Sequence, residues 1–92
     1  MFKVEDNRCW FNGNRVEDGY YWLRNDDHEG KVIWRPIHIY TVKEGYPILN
    51  GQWKSKGVYF EFMGDSIPYN IEYLNDWKNL KLVPLTPPGE GG

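Results

Sequence analysis

The longest strand-forming run in the chain, VIWRPIHIYTV at residues 32–42, limits most strongly what the chain can fold into. Alternate side chains of a strand point to opposite faces. Positions 33, 35, 37, 39 and 41 read IRIIT, and positions 32 to 42 in the other phase read VWPHYV. Both faces are largely apolar, so we expect a strand that is covered on both sides, by a barrel, a sandwich or another subunit. Pro36 lacks a backbone N–H and predicts a bend in this strand.

Shorter runs repeat this pattern along the rest of the chain. Residues 20–24, 58–63 and 67–73 alternate in polarity, a first strand spans residues 2–11, and Asn12-Gly13 is a hairpin signal. Six or seven strands at this spacing predict an all-β domain, either a small SH3-like barrel or a strongly bent antiparallel sheet. We expect at most one short helical turn, within residues 74–80. The predicted core residues are Trp22, Ile37, Phe60, Phe62 and Ile71.

The length of 92 residues predicts one domain, which we place at residues 1–86, followed by a flexible Pro/Gly tail at residues 87–92. So small a domain buries little surface, and burying its sixteen aromatic residues would add to its stability. Association of two copies would stabilise it further. We therefore expect a homo-oligomer, most simply a dimer.

Cysteine usage and the N-terminal residues bear on the compartment. Cys9 is the single cysteine, which suits a reducing environment. The first eight residues, MFKVEDNR, carry charges where a signal peptide has an apolar core. No apolar run approaches the roughly 20 residues of a spanning helix. We expect a cytoplasmic protein that does not bind membranes.

Charge is distributed unevenly along the chain. The formal net charge is −2, but residues 31–60 hold five basic side chains and one acidic one. The same third contains Trp34, Tyr40, Tyr46, Trp53 and Tyr59. It is either a chance cluster that the fold disperses or a cationic, aromatic surface for an anionic partner. The overall acidity argues against nucleic acid as that partner.

A loose pattern of aromatic residues and turns extends over residues 18–88. Its parts are GYYWLR at 19–24, WRP at 34–36, YFEF at 59–62 followed by Gly64-Asp65, and LVP at 82–84 before Pro87-Pro88. This pattern resembles small, largely uncharacterised Trp/Tyr-rich β proteins of phages and prophages. The resemblance implies an accessory protein of a mobile element that binds and disables a host component, in the host cytoplasm. It transfers no catalytic residue.

Signals for catalysis and for metal or cofactor binding are weak. His28 and His38 show no useful spacing to Cys9, which is typical of a small core residue. The acidic cluster at residues 26–29 lacks the alternation of a calcium loop, and two histidines without paired cysteines make no zinc signature. No glycine-rich phosphate loop precedes a helix. We therefore expect a protein that is not an enzyme and has no metal or cofactor.

Binding is then the simplest function. One hypothesis is a counter-defence factor that sequesters a small anionic ligand such as a signalling nucleotide. The alternative is an inhibitor or adaptor that covers a host protein with a Trp/Tyr/Arg surface. The predicted ligand-binding residues are Arg24, Arg35, His38, Tyr40, Trp53, Lys54 and Lys56. For Arg35 a structural role, paired to a buried acid, is the other interpretation.

Overall fold

The computed structural model describes residues 1–47 and 53–85. Residues 48–52 and 86–92 lie outside the described residues, and with them the predicted tail, as do the side chains of residues 46–47 and 53–54. The described strands are β1 (Phe2–Glu5), β2 (Arg8–Phe11), β3 (Asn14–Val16), β4 (Gly19–Asp26), β5 (Val32–Val42), β6 (Tyr46–Pro47), β7 (Trp53–Lys54), β8 (Gly57–Phe62), β9 (Tyr69–Asn70) and β10 (Lys78–Pro84). A 3₁₀ helix spans Ile71–Asp76.

The all-β prediction is confirmed, because strands make up most of the described residues and the helical segment found among them is short. All strand pairs are antiparallel. One sheet has the order β1-β2-β3, a second has the order β10-β4-β5-β8-β9, and a third has the order β6-β7. Within the described ranges, no helix has the length and apolar character needed to cross a membrane.

The five-stranded sheet is open, so of the two predicted architectures the closed barrel does not form and the antiparallel sheet does. Its edge strands are β10 and β9, and closure would require these two to pair. β9 is only Tyr69–Asn70, because the chain passes directly into the 3₁₀ helix. The first three strands form a separate sheet instead of extending the larger one.

Two tight hairpins build the three-stranded sheet. Asn12 and Gly13 have φ values of 49° and 84° and join β2 to β3, as predicted. Asp6 and Asn7, with φ values of 52° and 58°, form a second such turn, so the single strand predicted for residues 2–11 is wrong. Asn and Asp tolerate the left-handed region, which the two central residues of a type I′ hairpin require.

The core lies between the two sheets and is closed at one end by the 3₁₀ helix. Its buried apolar residues are Phe2, Cys9, Val16, Leu23, Ile37, Ile39, Val58, Phe60, Ile71 and Leu74. The predictions for Ile37, Phe60 and Ile71 are confirmed, and Phe62 packs partly buried against this cluster. Trp22 is 38% exposed, so its placement in the core is wrong.

The central strand β5 is the longest described strand, as predicted, and it pairs with both β4 and β8. Its register with β4 runs without a shift from Gly19↔Ile39 to Asp26↔Val32. The Pro36 carbonyl accepts a hydrogen bond of 3.1 Å from the N–H of Met63, the residue after the end of β8. The hydrogen-bonding side of Pro36 therefore faces β8 and not β4. The missing donor therefore removes no hydrogen bond between β5 and β4.

The 3₁₀ helix begins earlier than predicted, and of the strand expected at residues 67–73 only Tyr69–Asn70 forms. Asn70 caps it, since its Oδ1 accepts a hydrogen bond from the Glu72 N–H at 2.9 Å. The helix buries Ile71 and Leu74, three residues apart on one side. Its Asn75 side chain bonds both backbone groups of Phe2 and so joins the helix to β1.

Candidate functional site

The five-stranded sheet covers the core with one face, and its other face is here termed the aromatic face. Directly paired residues of adjacent strands share a face. The aromatic face consists of Tyr20, Trp22, Arg24, Trp34, Pro36, His38, Tyr40, Tyr59, Glu61, Lys81 and Val83. Tyr20 and Trp34 are each 50% exposed. This face therefore presents large apolar rings to solvent.

A row of rings crosses three strands on this face. The Tyr20 and His38 rings are stacked, with centroids 4.6 Å apart and planes 17° apart. Tyr40 follows, with its centroid 5.4 Å from that of His38, and Tyr59 lies 6.0 Å beyond it. Tyr20 pairs with His38, and Tyr40 pairs with Tyr59, across adjacent strands. The strand register thus produces the row, because directly paired side chains stand within contact distance.

An acidic depression adjoins this row. Glu61 pairs with His38 in the register, and its Oε1 lies 3.7 Å from His38 Nδ1. The depression has a volume of about 300 Å³ and is here termed the acidic pocket. Its lining residues are Tyr20, His38, Glu61, Phe62, Met63, Gly64, Asp65 and Ser66. Two carboxylates and no lysine or arginine are among these described residues, so the pocket favours a cation.

An apolar hollow lies beside the acidic pocket on the same face. Trp22, Trp34 and Val83 line this tryptophan hollow, which has a volume of about 390 Å³. The three residues come from β4, β5 and β10 and occupy neighbouring positions, because Trp22 pairs with both Val83 and Pro36. The hollow can receive an apolar side chain, since its walls are two indole rings and an aliphatic group.

Arg24 lies on the aromatic face, but its guanidinium is held by neighbours within the chain. Nη2 lies 3.0 Å from Asp26 Oδ1, and Nη1 donates a hydrogen bond of 2.8 Å to the Asn79 carbonyl. Asn79 has a φ of 54° and lies where the pairing of β10 with β4 shifts register. Arg24 therefore fixes an irregular strand edge, and much of its charge is already compensated.

Arg35 lies on the opposite face, which covers the core. Its guanidinium carbon is 5.6 Å from the centroid of the Phe62 ring and 5.5 Å from that of Trp77. Both distances are within the range of cation–π contacts. The structure thus gives Arg35 a packing role with aromatic partners, in place of the buried acid that its structural interpretation assumed.

The remaining predicted ligand-binding residues do not form one compact site with Arg24. His38 and Tyr40 lie on the aromatic face, but Arg24 pairs with Trp34, six positions before Tyr40 on β5. At 3.2–3.4 Å per residue, that separation is about 20 Å. Lys56 is exposed just before β8. The backbone of Trp53 and Lys54 forms β7, and their side chains lie outside the described residues.

The candidate catalytic residues are spread over separate parts of the molecule. Cys9 is buried in the core, and burial raises the pKa of its thiol from 9.0 to about 11. The side chain of His28 is 89% exposed in the loop after β4. Cys9 is therefore a neutral thiol at physiological pH. Among the residues that the structure describes, no cluster of three or more His, Cys, Asp or Glu side chains is arranged to hold a metal ion.

Two further cavities lie away from the aromatic face. One, of about 490 Å³, is polar and is lined by Arg8, Arg15, Lys43, Asp6, Glu17, Asp18, Asn7 and Thr41. Its three basic and three acidic side chains balance, so it does not select an anion. The other, of about 600 Å³, lies beside β1 and the 3₁₀ helix and is lined by Met1, Phe2, Lys3, Glu5, Trp10, Gly13, Glu72 and Asn75. Lys3 and Glu5 lie 3.6 Å apart there.

The residues that the sequence interpretation omitted are the ones most prominent on the aromatic face. Tyr20, Trp22, Trp34, Glu61 and Val83 were not among the predicted ligand-binding residues. The alternation in residues 20–24 and 32–42 already placed the rings on shared faces. What the pattern did not contain was which of the two faces the first three strands would cover.

Comparisons with known proteins add no relative: no family model matches the chain, and no match was found among curated proteins or solved structures.

Proposed function

We propose that this chain is a non-catalytic binding protein whose aromatic face docks onto a partner protein. The observation that carries the proposal is the exposure of Trp22, Trp34 and Tyr20 on one side of a sheet whose other side is the core. Tryptophan and tyrosine dominate the binding energy of protein interfaces, because they bury large areas with few rotatable bonds. Contiguous exposed apolar surface of this kind marks interaction sites.

The distribution of charge favours a protein over the small anionic ligand as the partner. Arg24 is paired with Asp26, Arg35 packs on the other side of the sheet, and His38 lies against Glu61. Within the described residues, an anion at the ring row would therefore meet a carboxylate, while both arginines are already engaged elsewhere. A protein surface matches the mixed apolar and charged character of this face better.

The phage resemblance supplies the proposed setting. In that setting the partner is a host protein in the cytoplasm, and the chain acts as a counter-defence factor by covering it. The same resemblance motivated the nucleotide hypothesis, which would require a cationic, concave site. A homodimer also remains a prediction, and it competes with the partner for the aromatic face if the two copies associate there.

Site-specific photo-crosslinking tests the proposal. The photoreactive residue p-benzoylphenylalanine replaces Trp34 in one variant and Lys3, on the three-stranded sheet, in a matched control. In a bacterial lysate, position 34 should give a discrete adduct that position 3 does not. Adding Trp22→Ser to the first variant should abolish the adduct, because it removes one wall of the tryptophan hollow.

Three results would contradict the proposal. An adduct with equal yield at position 3 would show non-specific labelling. An adduct of two copies of the chain, each of 11.0 kDa, would assign the face to self-association. A nucleotide that raises the melting temperature of the protein, and does so less in His38→Ala, would support the small-ligand hypothesis instead, since ligand at 100 times Kd adds about 2.7 kcal/mol.

A further inference from the structure

We propose that the acidic pocket receives a lysine or arginine side chain of the partner protein while the tryptophan hollow receives a neighbouring apolar side chain. This inference rests on the proposed function, because it assigns chemistry to the partner of the aromatic face. It also reverses the sign of the partner charge that the basic middle third of the sequence suggested. The sign is reversed because Glu61 and Asp65 both line the acidic pocket.

The charge of the acidic pocket favours a cationic side chain. Glu61 and Asp65 both line the acidic pocket, and the remaining ionisable groups there are His38 and the Tyr20 phenol. The Glu61 carboxylate is 32% exposed, so solvent screens it less than a fully exposed carboxylate. Its one close basic neighbour within the described residues is His38, at 3.7 Å. An incoming ammonium or guanidinium would give this carboxylate a charge-assisted hydrogen bond.

The walls and the size of the acidic pocket also suit a lysine or arginine side chain. Tyr20 contributes an aromatic ring, and Met63, itself 50% exposed, contributes a flexible thioether. Aromatic walls attract cations through the negative faces of their rings, and apolar walls accommodate the methylene stem of lysine or arginine. A volume of about 300 Å³ is at the low end for small-ligand pockets, which suits a single side chain.

The acidic pocket and the tryptophan hollow are spaced like neighbouring side chains on one face of a partner segment. Tyr20 lines the acidic pocket and Trp22 lines the tryptophan hollow, two positions apart on β4. That spacing is about 7 Å along a strand. Alternate side chains of an extended segment are separated by the same distance. Side chains one turn apart on a helix are slightly closer together. The partner therefore presents one basic and one apolar side chain on the same face of a strand or helix.

The pocket chemistry can be measured without the partner by using n-butylammonium as a lysine side-chain probe. Amide shifts of ¹⁵N-labelled protein are followed during titration with n-butylammonium, and in parallel with n-butyrate and n-butanol. We expect saturable shifts confined to the amides of residues 61–66 with the cation alone. Glu61→Gln should weaken this binding about tenfold, as expected for losing a charge-assisted contact. Glu5→Gln on the other sheet is the matched control and should change nothing.

The outcomes separate this inference from the proposed function. Butyrate or butanol shifting the same amides with equal affinity would overturn the inference, as would shifts with butylammonium that do not saturate. Unchanged butylammonium binding in Glu61→Gln would overturn it as well. Crosslinking at position 34 that persists in that case leaves the proposed function standing with a different partner chemistry. Selective butylammonium binding without crosslinking at position 34 would show that the pocket binds cations but that the proposed docking face is wrong.

Discussion

Replacement of Phe60 by alanine is the sharpest test of how the five-stranded sheet divides into a core side and an exposed side. Phe60 is completely buried. Its ring meets Phe62 edge-on at 5.4 Å and stacks on Tyr69 at 5.5 Å. Phe→Ala in a core costs about 3–5 kcal/mol, because it removes transfer energy and leaves a cavity. A domain of this size has only about 5–10 kcal/mol of stability, so the variant should lose a large part of it and still be folded enough to show an unfolding transition.

Trp34→Ala is the matched control, because it removes a larger ring from the opposite face of the same sheet. Trp34 is half exposed, so its truncation leaves no closed cavity and should cost at most about 1 kcal/mol. Urea unfolding followed by far-ultraviolet circular dichroism compares the two without relying on tryptophan fluorescence. With a urea dependence of about 1–2 kcal/mol per molar, the Phe60→Ala midpoint should fall by roughly 2–4 M.

The order of the two variants decides the outcome. If Trp34→Ala destabilises the protein as much as Phe60→Ala, the aromatic face is covered in the folded chain, and the proposed docking surface is lost with it. If Phe60→Ala unfolds near the parent midpoint, the assignment of the core side of β8 is wrong. Circular dichroism of both variants without urea checks that the fold is retained before the midpoints are compared.

Three further predictions follow from single contacts. The buried Cys9 thiol should react with a disulfide reagent at pH 8 only after unfolding. Because its pKa rises from 9.0 to about 11 on folding, the unfolded chain loses the proton first, and the free energy of unfolding should fall by on the order of 2 kcal/mol between pH 9 and 11. This fall should be smaller in Cys9→Ala. Arg35→Met should keep the apolar stem but lose the cation–π contacts with Phe62 and Trp77, which should lower the free energy of unfolding in urea by about 0.5–2 kcal/mol. An unchanged urea midpoint would show that the charge of Arg35 contributes nothing to stability. Asn70→Ala should lower it by about 1 kcal/mol through loss of the helix cap, and Asn70→Asp should retain most of that stability; equal losses in both would contradict the capping role.

Local sequence signals were sufficient for the fold class and for parts of its strand layout. The alternation at residues 32–42 predicted the longest described strand with its observed ends, and the Asn12-Gly13 turn predicted a hairpin. These features depend on backbone preferences and on the direction of neighbouring side chains, which the sequence contains directly. The sequence did not predict where the sheet ends. The 3₁₀ helix at Ile71–Asp76 ends it, and this helix depends on burying Ile71 and Leu74 against the core and on the cap at Asn70.

The candidate site was decided by tertiary structure alone. Alternation separates Trp22 from Leu23, and Arg35 from Trp34, but it is symmetric between the two faces of a sheet. The core side became the one covered by the hairpins at residues 2–16, which bring Phe2, Cys9 and Val16 onto the Leu23 side. That packing leaves Trp22 and Trp34 exposed to solvent and turns Arg35 inward toward Phe62 and Trp77. The charge of a face depends on which distant segments cover its reverse side, and no local pattern in the chain contains that information.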